Sequence, residues 1–334
     1  PIGVAILMTP FFWFAHGLTR WSNLPPDGFS LYYQQAAGLA GVAMFVAGLL
    51  AIRSLLTRYF SSGVVLATLT AIALGTNLFH YATYDGTFSH VYSFFLIAWL
   101  LDVTDRWWTS PSPVSTVGLG VLAALVFLTR HPNAIFLIVV PLWNPAGIWA
   151  RRGSFAAIAA IGVLCVLPQL VIYRQATGHW LVSVYGQFGR FNFGAPHIVE
   201  VLFGVRKGLF FWSPLLLLAA AGLLVDNPLS RRLRVAAILV FAANAYLVAS
   251  WSDWQLGGSF GHRGFTDGLA LAAVFLASLF DWVSRRPRAW MPAAVVVGGL
   301  VALSCAQMAQ YWLGILPIAD TTWDQYRELF LRFR

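Results

Sequence analysis

Long apolar runs, separated by short polar stretches, dominate the pattern of hydrophobic and polar positions along this chain of 334 residues. Runs such as "SPLLLLAAAGLLV" do not alternate apolar with polar side chains, so they favour helices over strands. Each run is near the ~20 residues that a helix needs to span a bilayer, and the shorter runs imply tilted or buried helices. The runs lie at residues 35–52, 64–79, 88–101, 114–129, 134–149, 154–173, 209–225, 235–251, 265–283 and 290–313. The pattern predicts an all-α fold, a polytopic transmembrane helical bundle of about ten spanning helices.

The N-terminal stretch, residues 1–19, differs from these runs. It reads "PIGVAILMTPFFWFAHGLT", an apolar segment with a proline in its middle and a histidine near its end. Such a segment predicts a juxtamembrane helix that lies in the membrane interface rather than a full span. The chain is then a single membrane-embedded domain over residues 1–334, with the bundle at 35–313 and an outer-face tail at 314–334.

Basic residues are distributed unevenly between the predicted connections. Short alternate connections hold 11 of the 21 basic residues of the chain. These are Arg53, Arg58, Arg106, Arg151, Arg152, Arg231, Arg232, Arg234, Arg285, Arg286 and Arg288. Arginine beside apolar helices is typical of cytoplasmic loops. Topology therefore explains the net charge of +9 without a nucleic-acid partner.

The opposite, predicted outer face collects the residues that can carry chemistry. All seven histidines fall on or near it. So do five acidic residues: Asp27, Asp85, Glu200, Asp253 and Asp267. The sequence contains neither a glycine-rich phosphate loop after a strand nor a soluble segment long enough for a nucleotide-binding domain. We expect chemistry on the outer face, on a substrate that is not carried by a nucleotide.

The segment "HYATYDGTFSH", residues 80–90, contains the two candidate catalytic residues, Asp85 and His90. A carboxylate this close to hydrocarbon is costly unless it is paired or hydrated, which makes Asp85 a site candidate. The alternative is a helix cap, in which Asp85 or Thr87 accepts hydrogen bonds from the helix that begins near Phe88. His90 is open to three interpretations: a proton carrier, a metal ligand or a hydrogen-bonded interfacial histidine.

Cations on the outer face are candidates for binding a phosphate group. Arg130 interrupts an apolar run in "LTRHPNAI", and Arg206 with Lys207 precedes another in "GVRKGLFFWSP". Arginine offers a planar fork to phosphate oxygens and lysine a point charge. The alternatives are a snorkelling arginine at Arg130 and ordinary lipid phosphate at the other two.

The segment "WSDWQLGGSFGHRGFTD", residues 251–267, is the richest outer stretch in polar residues and glycines. Its Asp253, His262 and Arg263 are candidate substrate-binding residues. Glycines in the same segment let a backbone approach a ligand closely. Its tryptophans fit either a sugar-binding surface or the aromatic belt of a membrane protein.

Taken in order, these segments resemble the GT-C class of integral-membrane glycosyltransferases. The likeness is closest to bacterial relatives of protein O-mannosyltransferases and of the lipid A aminoarabinose and galacturonic acid transferases. It is carried by residues 1–19, by "LLTRYFSSGVVLATLTAIALGTNLFHYATYDGTFSHVYSFFLIAWLLD", and by "LTRHPNAIFLIVVPL", "KGLFFWSPLLLLAAAGL" and "WSDWQLGGSFGHRG". Together these stretches cover nearly the whole chain.

The resemblance implies transfer of a hexosyl or pentosyl group from a polyprenyl-phosphate donor to a lipid, glycan or protein acceptor. It implies a multi-pass protein of the bacterial inner (cell) membrane, with the active site facing the periplasm or exterior. The donor and membrane lipids are the expected partners. A divalent metal ion is a candidate cofactor, for which the sequence indicates no set of ligands.

In that class an aspartate in the first outer loop acts as the base, and Asp85 matches the second acidic residue, in the next outer loop. The resemblance implies that an N-terminal span and the first outer loop precede Pro1, so the catalytic base is expected upstream of it. Residues 1–334 are then expected to bind a donor and to turn over slowly or not at all. A transporter or flippase of a lipid-linked sugar is the alternative function, followed by a membrane scaffold.

Overall fold

The protein, seen here as a computed structural model, is helical along the described residues, which are 1–182 and 189–333. The first four residues of the outer segment "YGQFGRFNFG", residues 185–194, lie outside the described residues, as does Arg334. The described helices are α1 (Gly3–Trp21), α2 (Leu31–Leu56), α3 (Ser62–Leu74), α4 (Leu78–Thr83), α5 (Ser89–Thr109), α6 (Pro113–Thr129), α7 (Val139–Leu142), α8 (Arg152–Thr177), α9 (Ile198–Phe203), α10 (Leu209–Trp212), α11 (Leu215–Gly222), α12 (Pro228–Ser250), α13 (Leu269–Ser284), α14 (Pro287–Trp312) and α15 (Trp323–Leu329). The predicted all-α class is confirmed.

Five helical stretches among the described residues are long and apolar enough to cross a membrane. They are Leu31–Leu56, Trp149–Thr177, Pro228–Ser250, Arg263–Ser284 and Pro287–Trp312. Other predicted spans are interrupted: one is divided between α3 and α4, and another between α10 and α11. The chain thus has the long apolar helices of a membrane protein, and the count of about ten spans stays a prediction.

Local sequence explains where two of the helices begin. The Ser112 hydroxyl accepts a hydrogen bond from the backbone N–H of Ser115 at the start of α6. The Asn227 side chain does the same for Leu229 at the start of α12. A proline follows each cap, at the first helical position, where its missing N–H has no helical partner to lose.

Helix α5 is the centre of the bundle. It packs along α2 over most of its length and also contacts α6 and α13. Most of its apolar side chains are buried, and Phe94, Ile97 and Leu101 are fully so. Because α5 also carries polar residues near both of its ends, it connects two separate polar regions through an apolar core.

One polar region lies where the C-terminal ends of α2 and α5 meet the start of α12. The buried carboxylate of Asp102 pairs with Arg58 at 2.9 Å and with Arg106 at 3.1 Å. Asp105, also buried, pairs with Arg58 at 2.8 Å and approaches Arg232 at 3.8 Å. A buried carboxylate needs such partners to remain charged. These arginines come from three of the predicted inner connections, so the structure places those connections at one end of the bundle.

At the other end, α2 approaches the connection between α4 and α5 very closely. A Cβ atom added to Gly41 of α2 would overlap the backbone of Gly86. Only glycine therefore permits this contact. The contact presses the connection that contains Asp85 against α2.

We expect Gly41→Ala to lower the free energy of unfolding by about 1–3 kcal/mol, because the added methyl group overpacks the contact with Gly86. Gly38→Ala is the matched control, since nothing lies within 4 Å of its Cβ position. The control should be neutral or more stable by up to about 1 kcal/mol, from helix propensity. Thermal unfolding of both variants in detergent measures the difference. Equal stability of the two variants would contradict the close contact.

Candidate functional site

Ionisable side chains from distant parts of the chain meet at the end of the bundle opposite Arg58. We call this set the ionisable cluster; it consists of His80, Asp85, His90, Arg130, Lys207, His262, Arg263 and Asp267. The cluster is assembled from the ends of α4 and α6, the start of α5, the connection before α10 and the 3-10 segment Arg263–Gly268. Six of the eight site residues predicted from the sequence belong to this cluster, and Arg206 and Asp253 do not. His80 and Asp267 are members that were not predicted as site residues.

His80 lies fully buried between Trp312 and Asp85. The indole N–H of Trp312, at the C-terminal end of α14, donates to His80 Nδ1 at 2.9 Å. His80 Nε2 lies 2.9 Å from Oδ2 of Asp85. Both imidazole nitrogens are thereby engaged, one on each side of the ring.

Asp85 keeps one carboxylate oxygen available. Its Oδ2 atom contacts His80, whereas Oδ1 makes no hydrogen bond with the described residues. The side chain is 23% exposed, more than the other carboxylate of the cluster, Asp267, at 2%. No side chain caps α5, whose N-cap residue is Phe88. The helix-cap interpretation of Asp85 and Thr87 is therefore wrong, and Asp85 is an accessible carboxylate.

His90, Arg130 and Asp267 form the second, deeper part of the cluster. Asp267 Oδ1 lies 2.9 Å from His90 Nδ1, and Oδ2 accepts from Arg130 at 2.6 Å. The Arg130 guanidinium also lies 3.2 Å from His90 Nδ1. Both arginine and the nitrogen bonded to a carboxylate are donors, so the last contact is a close approach rather than a hydrogen bond. His90 Nδ1–H donates to Asp267, and within the described residues His90 Nε2 has no hydrogen-bond partner.

Two of the predicted phosphate-binding cations are already paired. The Lys207 ammonium, buried, donates to the backbone carbonyls of Ser259 and Ile318. Burial, and after it the charge of Arg263, lowers the pKa of Lys207 to about 8. Arg206 pairs with Asp320. Both cations thus attach the C-terminal segment to the bundle, a contact that no sequence pattern indicated.

Arg263 differs from the other three predicted cations, because its guanidinium makes no hydrogen bond or ion pair with the described residues. It lies over the ring of Phe88, 5.4 Å from the ring centroid. Burial raises the pKa of the neighbouring Tyr81, on which Arg263 and Asp85 act in opposite directions. The five N–H donors of Arg263 therefore remain available to a ligand.

His262 is buried, and neither of its ring nitrogens has a partner that satisfies normal hydrogen-bond geometry. Burial lowers the pKa of His262 to about 3, against a weaker opposing effect of the Trp254 backbone. The charges of Lys207 and Arg263 act in the same direction as burial. His262 is therefore neutral at physiological pH.

Asp253 lies outside the cluster, exposed in the connection after α12. The Gln255 amide, in the orientation that satisfies both neighbours, bridges Asp253 at 3.2 Å and Arg206 at 2.9 Å. These contacts place Asp253 beside the paired cations rather than beside Asp85.

An apolar groove of about 260 Å³ opens next to the cluster, between α11, α12 and α13. Leu216, Phe241 and Phe265 are among its lining residues, and Asn244 supplies a polar group at its edge. The 3-10 segment joins groove and cluster, since its Phe265 and Gly268 line the groove. A second apolar cavity of about 570 Å³, between α6 and α8, has no cluster residue in its lining. We therefore associate the smaller groove with the site.

The described residues do not contain a set of side chains arranged to bind a metal ion. Within residues 1–182 and 189–333, no three His, Cys, Asp or Glu side chains are grouped so that they could hold one ion. The divalent cofactor stays a prediction.

Comparisons with protein-family models, with curated proteins and with solved structures give no match to this chain. The resemblance to GT-C enzymes therefore rests on the sequence segments that carry it. The geometry of the cluster is the basis for any further statement about function.

The burial of His262 predicts a specific dependence of stability on pH. Its pKa is depressed in the folded protein, so below about pH 6.5 the unfolded chain takes up a proton that the folded chain refuses. Between about pH 6.5 and pH 5 this proton uptake lowers the free energy of unfolding by about 2 kcal/mol, at about 1.36 kcal/mol per pH unit. We expect His262→Phe to remove this part of the loss, as measured by the melting temperature at each pH. His179→Gln, at an exposed position, should leave the wild-type slope unchanged, and a slope unchanged in His262→Phe would contradict the assignment.

Proposed function

We propose that this protein is a membrane glycosyltransferase that moves a sugar from a polyprenyl-phosphate donor to an acceptor hydroxyl. One observation carries the proposal: the Arg263 guanidinium, without an ion pair among the described residues, lies over Phe88, whose N–H donates to the backbone carbonyl of Asp85, and the segment that begins with Arg263 lines an apolar groove. A polyprenyl-phosphate sugar has matching parts, an anionic phosphate and an apolar chain.

Donor binding follows from the position of the 3-10 segment Arg263–Gly268. Arg263 offers donors to the phosphate oxygens, as arginine does in most phosphate sites. Phe265 and Gly268 lead from there into the apolar groove, which fits part of the polyprenyl chain. The rest of the chain lies in the lipid. His262, neutral beside Arg263, adds no charge of its own to the site.

In the reaction, the acceptor oxygen forms a bond with C1 of the sugar while the bond between C1 and the phosphate oxygen breaks. The bonding electrons leave with the phosphate, whose developing charge Arg263 stabilises. Asp85 accepts a hydrogen bond from the acceptor hydroxyl and takes up its proton as the new bond to C1 forms. His90, oriented by Asp267, is a second proton carrier at the same end of the bundle.

The alternative, a flippase, needs polar groups along a path between the two faces. The two polar ends of α5 are separated by buried apolar side chains, including Phe94, Ile97 and Leu101. This separation supports a transferase that works on one face. Exchange of a fluorescent polyprenyl-phosphate sugar between the leaflets of protein-containing vesicles would support the flippase instead.

We further propose the ten-span topology, with the ionisable cluster on the outer, periplasmic face of a bacterial inner membrane and the Arg58 network inside. The arginine-rich connections support this orientation through the positive-inside rule. Exposed positions on the two sides are Thr87 and Ser110.

Single-cysteine labelling tests the orientation in a background without Cys165 and Cys305. We expect Thr87→Cys to react with an impermeant maleimide added to intact cells and Ser110→Cys to react only after the membrane is opened. Thr87 is preferable to Gly86, which packs against α2. The reverse labelling pattern would invert the proposed topology.

Arg263→Gln should weaken binding of a short polyprenyl monophosphate by about 1.5–3 kcal/mol, the contribution of a charged hydrogen bond. Titration calorimetry in detergent measures the affinity, and the corresponding polyprenol and inorganic phosphate separate the chain and headgroup contributions. Arg20→Gln, an exposed arginine at the end of α1, is the control and should bind as the wild type does. Equal affinity of Arg263→Gln and wild type would remove Arg263 from the phosphate site.

A further inference from the structure

The hydrogen bonds around His80 determine where its ring carries a proton. The Trp312 indole has an N–H group and no acceptor, so it can only donate. His80 Nδ1, 2.9 Å from Trp312 Nε1, must therefore be the unprotonated nitrogen that accepts. The single ring proton then sits on Nε2, which donates to Asp85 at 2.9 Å. In this arrangement His80 is neutral and Asp85 is the acceptor.

The surroundings of His80 reinforce this arrangement. The planes of the His80 and Trp312 rings are inclined by only 15°, and their centroids lie 6.4 Å apart. Tyr84 stacks on both rings, with centroids 5.4 Å from His80 and 6.1 Å from Trp312. Phe260 packs against the imidazole at 5.7 Å. The ring is thus enclosed by aromatic groups and has no freedom to rotate toward another partner.

The titratable groups that face His80 come from two helices and the connection between α4 and α5. They are Tyr81, Tyr84, Asp85 and Tyr311. Arg263 acts on Tyr81 as well. Asp85 is the one anionic group among them, and it would favour a second proton on His80. The Trp312 N–H opposes that proton, because a protonated Nδ1 and an indole N–H would be two donors facing each other.

We infer that Trp312 and His80 are positioning residues that hold the Asp85 carboxylate in one orientation. In this orientation Oδ1 is directed to the hydroxyl group of the substrate that receives the sugar. The inference rests on the proposed transferase function. It assigns a role to two residues that lie outside the predicted site, one of them 232 positions away from its partner in the chain. An imidazolium in place of neutral His80 would pair with Asp85 as an ion pair and weaken it as an acceptor.

Trp312→Phe tests this directly, because it removes the N–H and keeps an aromatic ring. In the variant, Nδ1 loses its donor, so the ring proton is no longer confined to Nε2 and the hydrogen bond to Asp85 is no longer fixed. Trp290→Phe, at an exposed position far along the same helix, is the matched control. His80→Gln keeps a donor to Asp85 without a titratable ring.

The first measurement is the ¹⁵N spectrum of histidine-labelled protein in detergent, with the His80 signals assigned from His80→Gln. The wild type and Trp290→Phe should show unprotonated Nδ1 and protonated Nε2 at neutral pH. In Trp312→Phe, where no indole donates to Nδ1, part of the His80 signal should come from the tautomer with the proton on Nδ1. A protonated Nδ1 in the wild type would overturn the inference, whether or not the protein proves to be a transferase.

The second measurement is kcat/KM for sugar transfer at neutral pH. Trp312→Phe should have a roughly tenfold lower kcat/KM than the wild type and Trp290→Phe, because Asp85 loses a fixed charged hydrogen bond on Oδ2. The double variant Trp312→Phe with His80→Gln, whose amide donates to Asp85, should recover part of this loss. Equal kcat/KM of Trp312→Phe and the wild type would overturn the positioning role. A wild type that neither transfers sugar nor binds polyprenyl phosphate, with the expected ¹⁵N spectrum, would contradict the proposed function and leave the His80 protonation assignment in place.

Discussion

The ion pair of buried Asp267 with Arg130, together with the hydrogen bond to His90, is the interaction on which the candidate site depends. Asp267 uses both oxygens, one for each partner, and so joins α5, the end of α6 and the 3-10 segment before α13. A carboxylate this deeply buried is tolerated only when such partners compensate its lost hydration. Removal of either partner would leave an uncompensated charge next to the apolar core. The 3-10 segment carries Arg263 and the edge of the groove, and the connection that contains Asp85 leads directly into α5, so their positions depend on this contact.

A site with one polar and one apolar part results from this arrangement. The 3-10 segment directs Arg263 toward the ionisable cluster and Phe265 toward the groove. Lys207 and Arg206 are occupied by Ser259, Ile318 and Asp320, which leaves Arg263 to meet an incoming anion. The proposed donor matches these two parts of the site. Its phosphate group contacts the Arg263 guanidinium, and its polyprenyl chain remains in apolar surroundings.

Much of the architecture could be predicted from the sequence, because apolar runs of helical length leave few alternatives. The arginine pattern likewise grouped Arg58, Arg106 and Arg232 at one end, where they pair with Asp102 and Asp105. Pairings between distant residues were not predictable in the same way. The sequence has no signal that the indole N–H of Trp312 meets His80. The hydrogen bonds of Lys207 to backbone carbonyl groups were equally unpredictable, since backbone acceptors have no sequence signature.

Photocrosslinking with a polyprenyl phosphate that carries a diazirine in its lipid chain tests most directly whether groove and cluster form one donor site. The account predicts labelled peptides from α11, α12 and α13, and loss of that labelling when excess unlabelled polyprenyl phosphate is added. Labelling should also fall in the Arg263→Gln variant, because the headgroup is then held less tightly. Labelling concentrated on α8, beside the larger cavity, or labelling that competitor does not reduce, would contradict a donor site next to Arg263 and Asp85.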